Sequence, residues 1–310
     1  MKTIRGALAL LLIAVITAFP ALASDDGQVS SENTAPVAEN QELQTYRGVS
    51  IGGCLKAYDA DGDDVTFELV TEPMKGEVDL SPDGYFVYTP GEGRRGRDYF
   101  GFRAVDSLGN SSQEGTVIIR LIKQKTRLTY ADMSGSGGEY AAVMLTERGV
   151  FTGVSLGADS VFDPDDPVTR GEFLALCMNA AGCEVLSGVR STGFADDDCI
   201  AGWLKPYVAT ALMRDYIHGQ TSDEGPVFRP DEDINLRDAC MMWNAILGVT
   251  DVVSASCFDE DGREIPGAQA VANLTSSSVM PVHGAELDAL ITRSDAAEML
   301  CAGMELLSRR

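Results

Sequence analysis

The sequence predicts a multidomain chain, with an all-β sandwich followed by an all-α unit of three repeats. Three observations carry that prediction. Residues 35–122 contain short runs of alternating apolar and polar positions, cut by Gly, Pro and Asp turns. Beyond residue 129, apolar positions recur at helical spacing. An aromatic-x-Asp start also returns at a fixed interval: Tyr130-Ala131-Asp132 and Phe194-Ala195-Asp196 lie 64 residues apart.

The N-terminus reads as an export signal. Lys2 and Arg5 precede an apolar run from Ala7 to Phe19 broken only by Thr17, and Ala21-Leu22-Ala23 gives a small-x-small cleavage pattern. Residues 1–23 are therefore a predicted signal peptide. As a membrane anchor the run falls short of the ~20 apolar residues a bilayer span needs. No cysteine follows the cleavage pattern, which disfavours a lipoprotein, and no second long apolar stretch is present. The mature chain is expected to have no transmembrane span. Residues 24–34 are polar and acidic, a flexible leader. The net charge of −23, from 47 acidic and 24 basic residues, argues against a nucleic-acid partner, because phosphate binding needs a basic face.

Three strands stand out in the β segment: Val65–Val70, Tyr85–Tyr88 and Val117–Ile122. Turns such as Asp83-Gly84 and Pro90-Gly91 separate such runs, and the spacing predicts an antiparallel sandwich over 35–122. Residues 123–129 form a basic, polar linker. The repeats then occupy 130–190, 191–250 and 251–310, the third degenerate, with Phe258-Asp259-Glu260-Asp261 as its eroded start.

Each repeat is read as two helices, and the second helix opens in a similar way each time. Thr169, Asn235 and Thr292 are good N-caps, whose side-chain oxygens accept from unpaired backbone amides. Glu172, Asp238 and Asp295 follow three residues later, a capping box in the first repeat and near-equivalents in the others. Arg170, Arg237 and Arg293 sit in the first turn, where a positive charge opposes the helix dipole by roughly 0.3–1 kcal/mol. Two readings remain open. Free amides plus an arginine make a site for a carboxylate or phosphate; alternatively, each arginine pairs with a nearby acid such as Asp163 or Asp233.

Seven cysteines include no CxxC pair, and Cys177, Cys240 and Cys301 fall among apolar helix positions as small core residues. Two GxSxG matches, at 48–52 and 153–157, lack the strand-turn-helix elbow, and the two histidines form no metal or catalytic motif. The chain is expected not to be an enzyme.

The repeat pattern resembles the S-layer homology domain. Its elements are Tyr130-x-Asp132, Phe162-Asp163-Pro164 and Thr169-Arg170-Gly171-Glu172 in the first repeat. The second has Phe194-x-Asp196, Trp203, Phe228-Arg229-Pro230 and Asn235-Leu236-Arg237-Asp238; the third keeps Ile291-Thr292-Arg293-Ser294-Asp295. The resemblance covers about residues 128–307. It implies a compact helical trimer of repeats whose grooves bind secondary cell-wall polysaccharide, often bearing pyruvate ketals. On that reading Arg170, Arg237 and Arg293 are the groove arginines, with Thr169, Glu172 and Trp203 beside them, and Asp132, Asp196, Phe162 and Phe228 frame the repeats. Residues 35–122, with Tyr58-Asp59-Ala60-Asp61-Gly62-Asp63 and Val105-Asp106, resemble the Ig-like, cadherin-like modules of bacterial surface proteins. Clustered carboxylates suit Ca²⁺, which takes six to eight oxygens, and Asp59, Asp61, Asp63 and Asp106 are the candidate ligands. An acidic turn holding no ion is the alternative. Together the resemblances imply a non-catalytic protein anchored to the cell wall and exposed on the surface. A calcium-dependent adhesin meeting other surface proteins and a structural S-layer subunit are the alternatives.

Overall fold

A computed structural model describes residues 33–156, 159–250, 257, 263, 265–281 and 286–310. The predicted signal peptide, most of the leader, the Phe258 start and His283 lie outside these residues.

Two sheets build the N-terminal half. One has the order β2-β9-β8-β5, from β2 (Gln41–Tyr46), β5 (Val65–Thr71), β8 (Gly96–Asp106) and β9 (Gly115–Ile122). The other runs β3-β7-β6, from β3 (Ile51–Cys54), β6 (Gly76–Leu80) and β7 (Tyr85–Pro90). A short pair, β1 (Val37–Ala38) with β4 (Ala57–Tyr58), lies outside both. Alternation puts Phe86 and Tyr88 of β7 and Phe100, Phe102 and Ala104 of β8 inside. Phe86 meets Phe100 edge-on at 5.1 Å, so the two sheets share one apolar filling. The expected antiparallel arrangement needs one correction: β2 runs parallel to β9, from Gln41 opposite Val117 to Tyr46 opposite Ile122. The sequence of β2, Gln-Glu-Leu-Gln-Thr-Tyr, lacks the alternation that marks its neighbours, so this edge strand was not readable in advance.

The second half carries six helices among the described residues: α1 (Glu139–Glu147), α2 (Arg170–Ala180), α3 (Lys205–Met213), α4 (Leu236–Leu247), α5 (Ala268–Ser276) and α6 (Arg293–Arg309). It is not purely helical. The hairpins β10–β11 (Val154–Leu156, Asp159–Val161) and β12–β13 (Gln220–Ser222, Gly225–Val227) separate α1 from α2 and α3 from α4. After each hairpin an aspartate fixes the turn. Asp132 accepts from the amides of Phe162 (2.9 Å) and Asp163 (2.7 Å), and Asp196 from those of Phe228 (2.9 Å) and Arg229 (2.7 Å). Asp163 and Arg229 take left-handed φ angles of 55° and 58° there, a conformation unusual for non-glycine residues and held by these bonds. Phe162 and Phe228 are fully buried, as framing residues should be.

A closed ring ties the three second helices together. Just before each cap, Val168 donates its amide to Ile291, Ile291 to Ile234 and Ile234 back to Val168, at 3.3, 3.0 and 2.9 Å. All three side chains are buried. The cysteines expected in the core are there: Cys177, Cys240 and Cys301 are buried thiols, and burial raises their pKa values. No described helix is long and apolar enough to cross a membrane.

Candidate functional site

The caps form as their residue types dictate. Thr169 accepts from the Glu172 amide and Glu172 returns the bond to the Thr169 amide at 3.2 Å; Thr292 and Asp295 do the same at 3.1 and 2.8 Å. Asn235 accepts from Asp238 at 2.8 Å, but Asp238 sends nothing back, because its carboxylate is bound to the Arg170 guanidinium.

The starts of α2, α4 and α6 each pack against a loop distant in sequence, which sets up a first, second and third groove. In the first groove the amides of Arg170 and Gly171 donate to Glu232 (2.8 Å) and Pro230 (2.9 Å). In the second, Leu236 and Arg237 donate to Ala289 and Leu287; in the third, Arg293 and Ser294 donate to Asp166 and Pro164. The expectation of free amides therefore fails at all three helices. Neighbouring carbonyls and the cap side chains take the first-turn donors, leaving no backbone cradle for an anion.

The arginines occupy two different positions. Arg170 and Arg293 are the first residues of their helices, whereas Leu236 holds that place in α4 and Arg237 follows it. Arg170 is only 5% exposed; its Nε donates to the Phe228 carbonyl (3.1 Å), its Nη1 to Asp238, and its guanidinium lies 5.7 Å from the Phe228 ring centre. Arg293 donates to the carbonyls of Phe162 (2.7 Å) and Thr152 (3.1 Å) and lies over the rings of Phe151 and Phe162 at 4.5 and 4.9 Å. Among the described residues no carboxylate pairs with it. Arg237 is more open, bound to Asp288 (3.0 Å) and the Pro266 carbonyl (2.9 Å). Neither Asp163 nor Asp233 pairs with any of the three arginines. The actual partners, Asp238 and Asp288, lie 68 and 51 residues away, beyond the reach of local reasoning.

Trp203 sits two residues before α3 and is 59% exposed, edge-on to Tyr207 with centroids 6.4 Å apart. The residue after it, Leu204, packs against Gly171, so the backbone that carries this indole borders the first groove. Thr169 and Glu172 are committed to their own cap. Beside the same groove lies an open cleft of about 530 Å³, lined by Asp196, Asp223, Glu224, Arg229, Asp231 and Glu232 among others. Carboxylates dominate it, and Arg229 is held by Glu232 at 3.1 Å.

In the β-half, oxygens of Asp59, Asp63 and Asp106 lie within 4.8 Å of one another. Asp61 is not part of this cluster; its carboxylate accepts from the Thr34 amide at 2.6 Å. Asp59 Oδ1 accepts from the amides of Asp61 and Asp63, but Asp59 Oδ2 is buried without a partner. Burial works to raise the Asp106 pKa; donors from Asn110, Asn33 and Leu108 outweigh it and hold the carboxyl below its usual range.

Residues 33–123 match the family model of the bacterial cadherin-like domain, and residues 129–174 that of the S-layer homology domain. A cadherin-like match and an S-layer homology match thus follow one another along the chain. No curated protein matches. An endo-fucoidan hydrolase from glycoside hydrolase family 107 shares 20% identity over 31% of this chain, with a TM-score of 0.25. This chain covers only 14% of that enzyme's length. An SrpA adhesin from Streptococcus sanguinis (17% identity, 33% of this chain and 65% of that one, TM-score 0.23) is similar to a comparable extent. So are the fibronectin(III)-like modules of Clostridium thermocellum CbhA (18%, 31% and 51%, 0.22). Likenesses of this size bear on neither substrate nor partner. The S-layer homology match spans the first aromatic-x-Asp start, α1, the first hairpin and the opening of α2 with Arg170.

Proposed function

We propose that the chain is a non-catalytic surface protein held to the cell wall by its S-layer homology half, which grips wall polysaccharide and carries the cadherin-like domain outward. The ring Val168–Ile291–Ile234 supports this reading best. It links the openings of α2, α4 and α6, and on this reading 130–190, 191–250 and 251–310 are all S-layer homology repeats. The first groove is its main binding surface. Trp203 offers an exposed face for stacking on a sugar ring. Arg170 acts from behind, shaping the Phe228 wall and neutralising Asp238. Secondary wall polysaccharide with pyruvate ketals is the ligand class. Because carboxylates crowd the neighbouring cleft, sugar hydroxyls rather than a second acid carry the contacts there. Sedimentation of the full chain with purified wall polysaccharide tests the reading. Trp203→Ala is expected to lower retention at least 10-fold, and an unchanged pellet refutes it.

A second reading concerns the cadherin-like domain. The orphaned, buried Asp59 Oδ2 faces a missing positive partner, which fits a Ca²⁺ held by Asp59, Asp63 and Asp106. Asp61 drops out of the ligand set and serves the loop instead. A bound ion would rigidify the 59–63 and 106–110 loops for adhesion to other surface proteins. Calorimetric titration with CaCl₂ is expected to give saturable heat; no heat and no rise in melting temperature would leave an ion-free acidic turn.

A further inference from the structure

The third groove differs from the first at one telling point. Gly137 lies two residues before α1, as Trp203 lies two residues before α3. Gly138 abuts Ser294 just as Leu204 abuts Gly171, so the two positions correspond around the ring. Trp203 faces solvent, but the space above Gly137 is filled by the cadherin-like domain. The Gly52 amide donates to the Gly137 carbonyl at 2.8 Å, and a Cβ on Gly137 would run into Tyr85 Oη and lie 3.1 Å from Gly52 Cα. A Cβ on Gly52 would in turn lie 3.0 Å from Gly137 Cα. Two facing glycines let the backbones touch, and neither tolerates a side chain.

The contact continues on both sides of that point. Tyr140 donates its amide to Ser50 at 3.1 Å, and Glu139 accepts from the Ser50 amide at 2.9 Å and from Gly135 at 3.2 Å. Ser50 and Glu139 are both buried. The Tyr46 and Tyr140 rings meet at 5.3 Å, and Gln44 donates to Tyr140 Oη at 3.3 Å. Lys56 reaches across to Ser278 at the end of α5, in the third repeat, at 2.5 Å. The domain thus bridges the first and third repeats, the two that flank the third groove.

We propose that the cadherin-like domain is the standing occupant of the third groove. Gly52 and Tyr85 fill the place that a ligand reaches beside Trp203 in the first groove, so this groove seats a domain and is closed to polysaccharide. The ligand half of the proposal rests on the wall-binding reading above; the seat itself does not. Gly137→Trp in the full chain tests it, because an indole there has no room while the domain is docked. Exchange of the Gly52 and Tyr140 amides is expected to quicken at least 10-fold, while the Ile119 amide in the middle of the β-sheet stays protected. Should Gly137→Trp also expose Ile119, Gly52→Trp approaches the same contact from the other side. Unchanged exchange at Gly52 and Tyr140 in both variants overturns the seat. A titration with a pyruvate-ketal monosaccharide reads the second half: the number bound per chain is expected to rise by one when the domain is displaced, and no rise overturns the closure. If the parent chain binds none of this probe, the wall-binding reading of the first groove fails, and the exchange result still decides the seat.

Discussion

Replacing Arg170 with alanine tests the first groove as a piece of physics before it tests any ligand. The guanidinium is 6% exposed and its partner Asp238 is 29% exposed. Removing one member of a fully buried pair costs roughly 3–5 kcal/mol, because the other charge is stranded. Water reaches Asp238 in part, and Gln220 stands 3.4 Å from the same oxygen, so the lower end of that range applies. Loss of the contact over Phe228 adds roughly 0.5–1 kcal/mol, and the Phe228 carbonyl loses its donor. The expected destabilisation of Arg170→Ala is therefore about 3–4 kcal/mol. Both tryptophans, Trp203 and Trp243, lie in the helical half, so urea unfolding followed by their fluorescence reports that half and not the β-sheets. A double-mutant cycle with Asp238→Asn isolates the pair and should give a coupling of roughly 1–3 kcal/mol. A loss below about 1 kcal/mol with no coupling would mean that the charge is solvated in the folded chain, and the account of Arg170 as a groove-shaping residue would fall.

Other expectations are independent of this one. Asp197 accepts from Thr192 and from Lys205 at 2.7 Å, and the Lys205 bond is the largest cause holding its pKa down at about 2. A depressed folded pKa stabilises above the unfolded value, so the helical half should lose melting temperature as pH falls from about 4 towards 2; Asp197→Asn should flatten that slope, and a parallel curve would contradict the assignment. Gly303 on α6 lies under the Trp243 ring, and Gly303→Ala would drive a Cβ into the indole. Such overpacking costs roughly 1–3 kcal/mol by denaturant midpoint, and a neutral result would mean that the helices shift freely. In the cadherin-like domain, Ca²⁺ at 100 times its Kd should add about 2.7 kcal/mol of stability; Asp63→Asn should remove that gain, whereas Asp61→Asn should leave most of it.

Local chemistry made much of the molecule readable. Thr169, Asn235 and Thr292 cap their helices through contacts three residues long, and Asp132 and Asp196 frame turns whose aromatic partners repeat in register. Val65–Thr71 and Gly115–Ile122 show their strand character in every second side chain. What escaped the sequence depends on contacts between distant residues. Asp238 looked like a capping acid and is a salt-bridge partner for Arg170, 68 residues away. The first-turn amides looked free and are taken by carbonyls of loops distant in sequence, among them Glu232, Leu287 and Asp166. The helix of Asn235-Leu236-Arg237-Asp238 starts at Leu236, which sets Arg237 one place later than Arg170 and Arg293 in their helices. Gly52 and Gly137 are two glycines among 32, and nothing in either neighbourhood announces that they touch.

The parallel pairing of β2 with β9 has a mechanical consequence. The chain enters β2 at Gln41 and leaves β9 at Ile122, at opposite ends of the same ladder. Tension applied between residue 33 and the helical half slides these strands past one another along their length. Their hydrogen bonds are then loaded together and must fail together, whereas antiparallel strands pulled from one end open one bond at a time. Single-molecule pulling should find one high rupture force for this domain, lowered sharply by Leu43→Pro, which removes a ladder donor. The ladder is therefore oriented to resist a pull applied between residue 33 and the helical half.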